Sequence, residues 1–207
     1  MKKELKFRTG EALRFGWQTF GKNALLLIVL TLIIGALSGG FSAVTTRMSE
    51  SDPNSALAIP VNLLSIVINM IVAIGFTKIA LDLIYKRKTE LSLIFTQWKY
   101  FWRYLGASIL YGLIVIGGLI LLIVPGIIWG IKYGFFSYAI VDKDMGALEA
   151  LRESGKITMG HKGQLFWFKI VLFLVQILGI IALGVGYLVA YPVTVLAEAW
   201  VYKRLAK

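Results

Sequence analysis

Four long stretches without a charged side chain constrain this chain more than any other feature. They run over residues 24–44, 53–77, 104–131 and 170–197. Because the hydrocarbon core of a bilayer is about 30 Å thick, a helix needs about 20 apolar residues to cross it. A composition of 58% hydrophobic and 16% charged residues also departs from that of a soluble domain. The stretches therefore predict helices that span a membrane.

The third and fourth stretches are too long for one crossing, since 28 residues make an unbroken helix of about 42 Å. Val124-Pro125-Gly126 interrupts the third stretch, and Gly184-Val185-Gly186 interrupts the fourth. The predicted fold is all-α: one integral membrane bundle over residues 1–207. The six predicted transmembrane helices cover residues 24–44, 60–83, 105–124, 127–141, 165–184 and 188–203. The two shortest, 127–141 and 188–203, are alternatively re-entrant or kinked.

The chain carries 22 Lys and Arg residues against 11 Asp and Glu, and they lie in linkers between the apolar stretches. Six crossings with both termini cytoplasmic place nearly all of the cations inside and leave Arg47 outside, as the positive-inside rule requires. Four crossings would put the cations from Lys143 to Lys169 outside. The sequence thus predicts a multi-pass protein of the cell (inner) membrane whose cations face anionic phospholipid head groups rather than nucleic acid.

Three amphipathic segments are predicted to lie in the membrane interface as helices, one before residue 24 and the others near 91–105 and 145–168. In the first, Leu13, Trp17, Phe20 and Ala24 recur at helical spacing. The side chains predicted to face lipid head groups are Arg14, Trp17, Trp98, Trp102, Arg103, Arg152 and Lys156.

The first and third of these segments resemble each other. Glu11-Ala12-Leu13-Arg14 recurs as Glu149-Ala150-Leu151-Arg152, and an apolar run follows each copy. The alternative is a chance match between two helix starts. The recurrence predicts a parallel internal repeat whose units begin near residues 11 and 149.

Four segments carry a resemblance to a known family: Val-Pro-Gly-Ile-Ile at 124–128, Tyr-Ala-Ile-Val-Asp at 138–142, Ala-Leu-Glu-Ala-Leu-Arg-Glu-Ser at 147–154 and Met-Gly-His-Lys at 159–162. The chain resembles a family of bacterial multi-pass membrane proteins of unknown function. That family is distantly similar to the membrane domain of some glycerophosphodiester phosphodiesterases. The resemblance implies a bacterial or archaeal cell membrane and six helices, but no reaction, ligand or catalytic residue.

Polar side chains inside the predicted spans are candidates for function, since they are costly in lipid. Lys78 and Asp82 lie one helical turn apart and can pair. Lys132 either reaches the interface or meets Glu198 or Asp82 across the bundle. The other members bind neighbouring helices or line an aqueous path. The full set is Asn62, Ser65, Asn69, Lys78, Asp82, Lys132, Thr194 and Glu198.

Glycines four residues apart allow two helices to approach closely. Gly35 and Gly39 have this spacing in the first predicted span, and Gly126, Gly130 and Gly134 have it in the fourth. All five are predicted to be helix-packing positions.

Catalytic chemistry has few candidates, since the chain has no cysteine and one histidine. Asp142 and Asp144 have a spacing that can hold Mg²⁺ against a phosphate. The alternative makes Asp144 the N-cap of a helix that begins at Met145. No metal site, cofactor or catalytic residue is predicted, and the chain is expected not to be an enzyme.

Three functions remain open at this point. The leading hypothesis is a non-enzymatic module that binds anionic lipid or a partner, namely another membrane protein or a second copy of the chain. The second hypothesis is a small transporter or channel with a path lined by Asn69, Lys78, Asp82, Lys132 and Glu198. The third is a lipid-modifying enzyme that uses Asp142 and Asp144.

Overall fold

The structure is a computed structural model that describes residues 7–51, 57–94, 96–182 and 184–207. Within these ranges the fold is all-α, as predicted, with two short 3-10 helices at Leu91–Ile94 and Trp98–Tyr100. The α-helices are α1 (Thr9–Lys22), α2 (Ala24–Ser51), α3 (Ala58–Ile84), α4 (Phe101–Leu121), α5 (Ile123–Tyr133), α6 (Phe136–Lys143), α7 (Ala147–Ile157), α8 (Lys162–Ile181) and α9 (Tyr187–Leu205).

Among the described residues, five helical segments are long and apolar enough to cross a membrane. They are Ala24–Met48, Ile59–Ile84, Leu91–Leu121, Ile123–Lys143 and Lys162–Ile181. The sixth predicted crossing corresponds to α9, which is not among them. Because α9 contains Glu198, Lys203 and Arg204 within 19 residues, it is less apolar than the others. The count of six crossings stays a prediction.

The charged helix α9 lies at the centre of the fold. It contacts α1, α2, α3 and α8, and most of its side chains from Ala190 to Leu205 are buried. Small residues such as Ala197 and Ala199, which are fully buried, let neighbouring helices approach its backbone. Most of this helix thus lies beside other helices rather than on the apolar surface of the bundle.

The helix breaks lie close to where the sequence places them. The third stretch breaks at Leu122, whose backbone is extended, and Pro125 then lies in the first turn of α5, where no backbone donor is needed. The fourth breaks between α8 and α9, where Gly184 has a φ of +74°. The predicted helix 127–141 lies within the segment Ile123–Lys143, which divides into α5 and α6 at Gly134 and Phe135, in agreement with the kinked alternative.

Two of the predicted interfacial segments, 91–105 and 145–168, do not form single continuous helices. Residues 91–105 do not form one amphipathic helix, because buried Ile94 packs against Gly75 of α3 and the α-helix begins only at Phe101. The segment 145–168 divides into α7 and α8, with Gly160 at a φ of +80° between them.

The helix α1 packs against α9. Its buried positions are Ala12, Gly16 and Phe20, while Trp17 points outward with 63% of its surface exposed. The face of α1 that packs on α9 thus runs through Ala12 and Gly16, whereas Trp17 of the predicted apolar stripe lies on the surface, as expected of a lipid-facing side chain. A hydrophobicity pattern favours bulky side chains, whereas close contact with a backbone requires small ones.

Several helix ends meet at one end of the bundle, which we call the basic end. It contains the C-terminal ends of α3, α6 and α9, together with the beginnings of α4 and α8. Tyr85 and Tyr202 both bind Asp142 there, and Arg103 binds Asp144. The helix α1 joins it through the side-chain amide of Gln164, which donates to the carbonyl of Phe7.

Candidate functional site

Exposed tryptophans and exposed cations occur on the chain segments that reach the basic end. Trp17, Trp98, Trp102 and Trp167 each have between 58% and 77% of their surface exposed. Arg14, Lys99, Arg152, Lys156 and Lys162 are exposed as well. We call these nine residues the aromatic-cationic belt. The structure thus exposes all of the predicted lipid-facing side chains, and Arg103 among them also binds Asp144 Oδ1 at 2.8 Å.

Asp142 links three helices at the basic end. Its Oδ2 accepts hydrogen bonds from the hydroxyls of Tyr85 on the α3 end and Tyr202 on α9, both at 3.2 Å. Burial and the neighbouring Asp142 carboxylate raise the pKa of Tyr85, so its hydroxyl stays a donor at neutral pH. The Asp142 side chain therefore acts as a structural tie, a role that the sequence did not reveal because its partners are about 60 residues away.

Asp144 takes part in a different contact. It ends α6 in the left-handed conformation with a φ of +54°, and its carboxylate pairs with Arg103. The two carboxylates bind different partners, so the structure does not support the Mg²⁺ alternative. The predicted N-cap is wrong, because α7 begins at Ala147 and the Glu149 carboxylate accepts from the Gly146 N–H instead.

Lys78 and Asp82 form an ion pair on α3. Lys78 Nζ lies 2.8 Å from Asp82 Oδ1, and Arg87 approaches the same oxygen at 3.7 Å. The Asp82 side chain is 5% exposed and the Lys78 side chain 24%. Both residues lie near the basic end, and they bind each other rather than Lys132.

Glu198 pairs with a lysine that the sequence analysis did not select. Lys169 Nζ of α8 lies 2.5 Å from Glu198 Oε1, and the same ammonium lies over the ring of Phe135. One turn along α9, Gln176 of α8 donates to the Thr194 hydroxyl at 3.0 Å. These two contacts form a polar ladder between α8 and α9. Sequence spacing could not reveal the partners, which are 29 and 18 residues apart.

The predicted pairing of Lys132 across the bundle is contradicted. Lys132 lies beside α7, where a methyl group on Gly155 would come within 3.2 Å of its side chain. Its ammonium sits over the ring of Tyr133. Because Glu198 binds Lys169 and Asp82 binds Lys78, neither carboxylate is the partner of Lys132.

The α7 helix binds the backbone groups that the α5–α6 break leaves free. The Ser154 hydroxyl accepts from the Phe135 N–H at 3.0 Å and donates to the Lys132 carbonyl at 2.9 Å. The Thr158 hydroxyl donates to the same carbonyl at 3.0 Å. Both side chains are fully buried, so α7 is part of the bundle as well as of its surface.

The polar stripe on α3 binds α2. The Ser38 hydroxyl donates to Asn69 Oδ1 at 2.6 Å, and Asn69 donates to Ser65 one turn away. Towards the other end of the two helices, Asn62 lines a cleft of about 400 Å³ with Thr45, Thr46 and Glu50. A second cleft of about 460 Å³ lies between α2 and the start of α9, and Thr31, Ser38 and Tyr191 supply its polar lining.

The predicted helix-packing glycines in and directly after α5 lie at contacts, whereas those of α2 do not. Gly126 is at a tight seam, since a methyl group on it would meet the Leu119 side chain at 2.5 Å, and Gly130 faces Tyr111 at ordinary distance. Gly134 meets the Gly130 carbonyl of its own helical segment at the break. Gly35 and Gly39 are corrected, because a methyl group on either meets nothing within 4 Å.

Two further close contacts involve glycines that the four-residue spacing does not select. A methyl group on Gly16 would meet the Val193 carbonyl of α9 at 2.5 Å, and one on Gly75 would meet the Ile94 carbonyl at 2.6 Å. These positions lack a partner glycine four residues away on the same face. Close approach here depends on which helix lies opposite, and a single helix pattern does not contain that information.

Two further clefts lie near the basic end. One, of about 410 Å³, is almost entirely apolar and lies between α5 and the first turn of α8, with Ile128, Ile131 and Phe166 in its lining. The other, of about 500 Å³, lies between the ends of α1 and α3 and contains Lys22, Lys86 and Arg87. Within the described ranges, no three acidic or histidine side chains group as metal ligands. The expectation that the chain needs no metal or cofactor stays a prediction.

Comparison with known proteins identifies one domain. A search of curated proteins and a search of solved structures each found no match. The match to a family model begins at residue 102 in the first turn of α4 and continues to residue 204 near the end of α9. It gives no link to glycerophosphodiester phosphodiesterases. Residues 102–204, which include the α5–α6 break and the polar ladder, match the model described as Domain of unknown function (DUF7847).

Proposed function

We propose that the chain is an integral protein of the cell membrane and that its basic end binds anionic phospholipid head groups. The proposal includes six crossings with both termini cytoplasmic, and a binding role without catalysis. Other membrane proteins or a second copy of the chain are further partners that the sequence predicts.

The aromatic-cationic belt carries this proposal. Large apolar side chains such as Leu25, Leu113, Ile120 and Phe173 are more than half exposed along the helices, and a soluble monomer rarely exposes so much apolar surface. Tryptophans are enriched where hydrocarbon meets water. Cations near an anionic leaflet gain about 1 kcal/mol each. Exposed tryptophans and exposed cations on segments that reach the basic end therefore match a head-group layer there.

Lipid composition around the protein tests the proposal. The full chain is reconstituted in vesicles of phosphatidylcholine in which about one lipid in five is phosphatidylglycerol, and it is then extracted into polymer nanodiscs whose lipids are quantified. We expect the phosphatidylglycerol fraction in the nanodiscs to be about twofold or more above that in the vesicles. The enrichment should fall in about 0.5 M salt, because the salt then screens charges that are more than a few ångströms apart.

A variant with Lys99→Gln, Arg152→Gln and Lys156→Gln, which we call the belt variant, reduces the enrichment in the same assay. The matched control is Thr46→Gln, an exposed polar position far from the belt. A wild-type nanodisc whose lipids match the vesicle composition contradicts the proposed binding role.

A transporter is the second candidate, and the polar ladder favours it. Lys169, Glu198, Gln176 and Thr194 are polar groups between two helices that we propose to be in the membrane. Such groups are costly unless they serve packing or transport. The transport path proposed here differs from the one predicted from the sequence, which included Lys132. Because Lys132 lies beside α7, Lys169 is the cation next to Glu198.

Proton flux distinguishes the two roles. Vesicles with trapped pyranine report how fast a pH gradient collapses. A transporter predicts faster collapse with the wild type than in protein-free vesicles, and loss of that difference in Glu198→Gln. Equal collapse rates in protein-free and wild-type vesicles leave the ladder with a packing role, in which each interhelical hydrogen bond contributes about 0.6 kcal/mol.

A further inference from the structure

We propose that the cleft between the C-terminal ends of α1 and α3 binds one anionic phospholipid through its phosphate group. This inference rests on the proposed membrane role and names a defined site within it. The cleft has a volume of about 500 Å³. We call it the head-group cleft.

Three cations from two helix ends line the head-group cleft. Lys22 comes from the last turn of α1, while Lys86 and Arg87 follow α3 directly. All three are exposed. Arg87 also approaches Asp82 at 3.7 Å, but 62% of its side chain remains exposed, so its guanidinium retains free donors for an oxyanion.

Two of these cations lie in the backbone turn that ends α3. The Arg87 N–H donates to the Asp82 carbonyl at 2.8 Å and the Lys86 N–H donates to the Leu83 carbonyl at 3.2 Å. This is the Schellman pattern, in which the residue occupied here by Lys86 adopts the left-handed conformation. Its φ of +56° favours glycine at this position, yet a lysine is present. Because glycine would be more stable in this conformation, the presence of Lys86 suggests that its positive charge serves a function, which we infer to be phosphate binding.

The charges around the head-group cleft remain positive after local compensation. Each helix C-terminus contributes about half a negative charge. The Asp82 charge is already balanced by Lys78 at 2.8 Å. On the α3 end, the Lys203 ammonium donates to the Ile84 carbonyl at 3.1 Å and satisfies a free acceptor. The three cations of the cleft, less about half a charge for each of the two helix C-termini, leave about two positive charges to bind a phosphate.

The walls of the head-group cleft indicate a lipid rather than a free phosphate. Phe15, Leu83 and Ile84 supply apolar surface beside the cations. An acyl chain can contact such a wall while the phosphate binds the lysines and the arginine. Trp17 is exposed on α1 nearby, at the level expected for the head-group layer.

Native mass spectrometry of the full chain in detergent tests the site. The probe is dioleoylphosphatidylglycerol, compared with dioleoylphosphatidylcholine and with glycerol 3-phosphate. We expect one phosphatidylglycerol to bind at least about tenfold more tightly than phosphatidylcholine, as the loss of a few charge contacts would predict. Binding of glycerol 3-phosphate with equal affinity would overturn the lipid assignment in favour of a free phosphate ester.

The decisive variant combines Lys22→Gln, Lys86→Gly and Arg87→Gln. It should lose the preference for phosphatidylglycerol, whereas the belt variant, which also removes three exposed cations, should keep it. Lys86→Gly alone relieves the left-handed backbone, so it should weaken binding without lowering the melting temperature. Loss of binding in the belt variant with retention in the cleft variant would overturn the site.

The two proposals fail separately. Enrichment of phosphatidylglycerol in nanodiscs tests the belt, whereas stoichiometric binding in detergent tests the head-group cleft. Enrichment without any stoichiometric binding leaves the proposed membrane role intact and removes the cleft.

Discussion

Gly75 lets the segment after α3 lie directly on the α3 backbone. The space that a side chain would fill is occupied by the main chain of Ile94, whose own side chain is fully buried. Backbone atoms cannot rotate away as a flexible side chain can, so the contact tolerates no added methyl group. Gly39 of α2 has the opposite surroundings, with open space at the same position.

Gly75→Ala should therefore destabilise the protein, and Gly39→Ala should not. Forcing a methyl group into a packed contact costs about 1–3 kcal/mol, whereas alanine in an exposed helix position is favoured over glycine by up to about 1 kcal/mol. Thermal unfolding in detergent measures both variants. A melting temperature for Gly75→Ala at or above that of Gly39→Ala would contradict the close contact.

At the residue scale, local pairs are predictable and distant pairs are not. Lys78 and Asp82 are four residues apart, so helical geometry alone brings them together. Lys169 and Glu198 belong to different helices, and their contact depends on how α8 and α9 are rotated. The sequence marks Glu198 as a polar candidate and offers Lys132 as one partner for it, whereas the structure pairs Glu198 with a different lysine, Lys169.

At the element scale, α1 and α7 use equivalent positions. In α1, Ala12, Gly16 and Phe20 are buried. Counting from the matching Glu149, the equivalent residues of α7 are Ala150, Ser154 and Thr158, and all three are buried. The parallel internal repeat stays a prediction, but the two helices present the same face to the bundle.

Ser154→Ala should destabilise the protein, because the Ser154 hydroxyl of α7 binds backbone groups at the α5–α6 break. The substitution leaves the buried Phe135 N–H without its acceptor, which costs about 1–3 kcal/mol. Ser92→Ala is the control, since Ser92 is exposed and has a 3.4 Å contact with neighbouring Glu90. Denaturant unfolding measures stability, and hydrogen exchange of the Phe135 amide should accelerate only in Ser154→Ala. Unchanged exchange there would contradict the hydrogen bond.

At the scale of the whole molecule, polarity is distributed along one axis. The basic end collects the belt, the head-group cleft and the Asp142 tie, whereas large apolar side chains are exposed along α2, α3, α4, α5 and α8. Insertion with the cations inside minimises the cost of moving charge across a bilayer. We therefore propose one orientation in the membrane, with the basic end on the cytoplasmic side.

Single cysteines can report that orientation, because the natural chain has none. Lys156→Cys lies on α7 and Thr46→Cys lies near the far end of α2, and both positions are exposed. With a thiol reagent that does not cross membranes, we expect Thr46→Cys to react in intact cells. Lys156→Cys should react only after permeabilisation. Labelling of Lys156→Cys in intact cells would contradict the proposed orientation and the six crossings.

The amino-acid sequence by itself determined the positions of the long apolar helices, their breaks and the clustering of cations in linkers. These features depend on side-chain polarity and chain length, which act locally. Only the tertiary structure decided that α9 lies at the centre, that Lys169 binds Glu198, and that Lys22 meets Lys86 and Arg87 around one cleft. Such contacts depend on the relative rotation and approach of helices far apart in the chain, and small residues such as Gly16 allow that approach without marking it in a hydrophobic pattern.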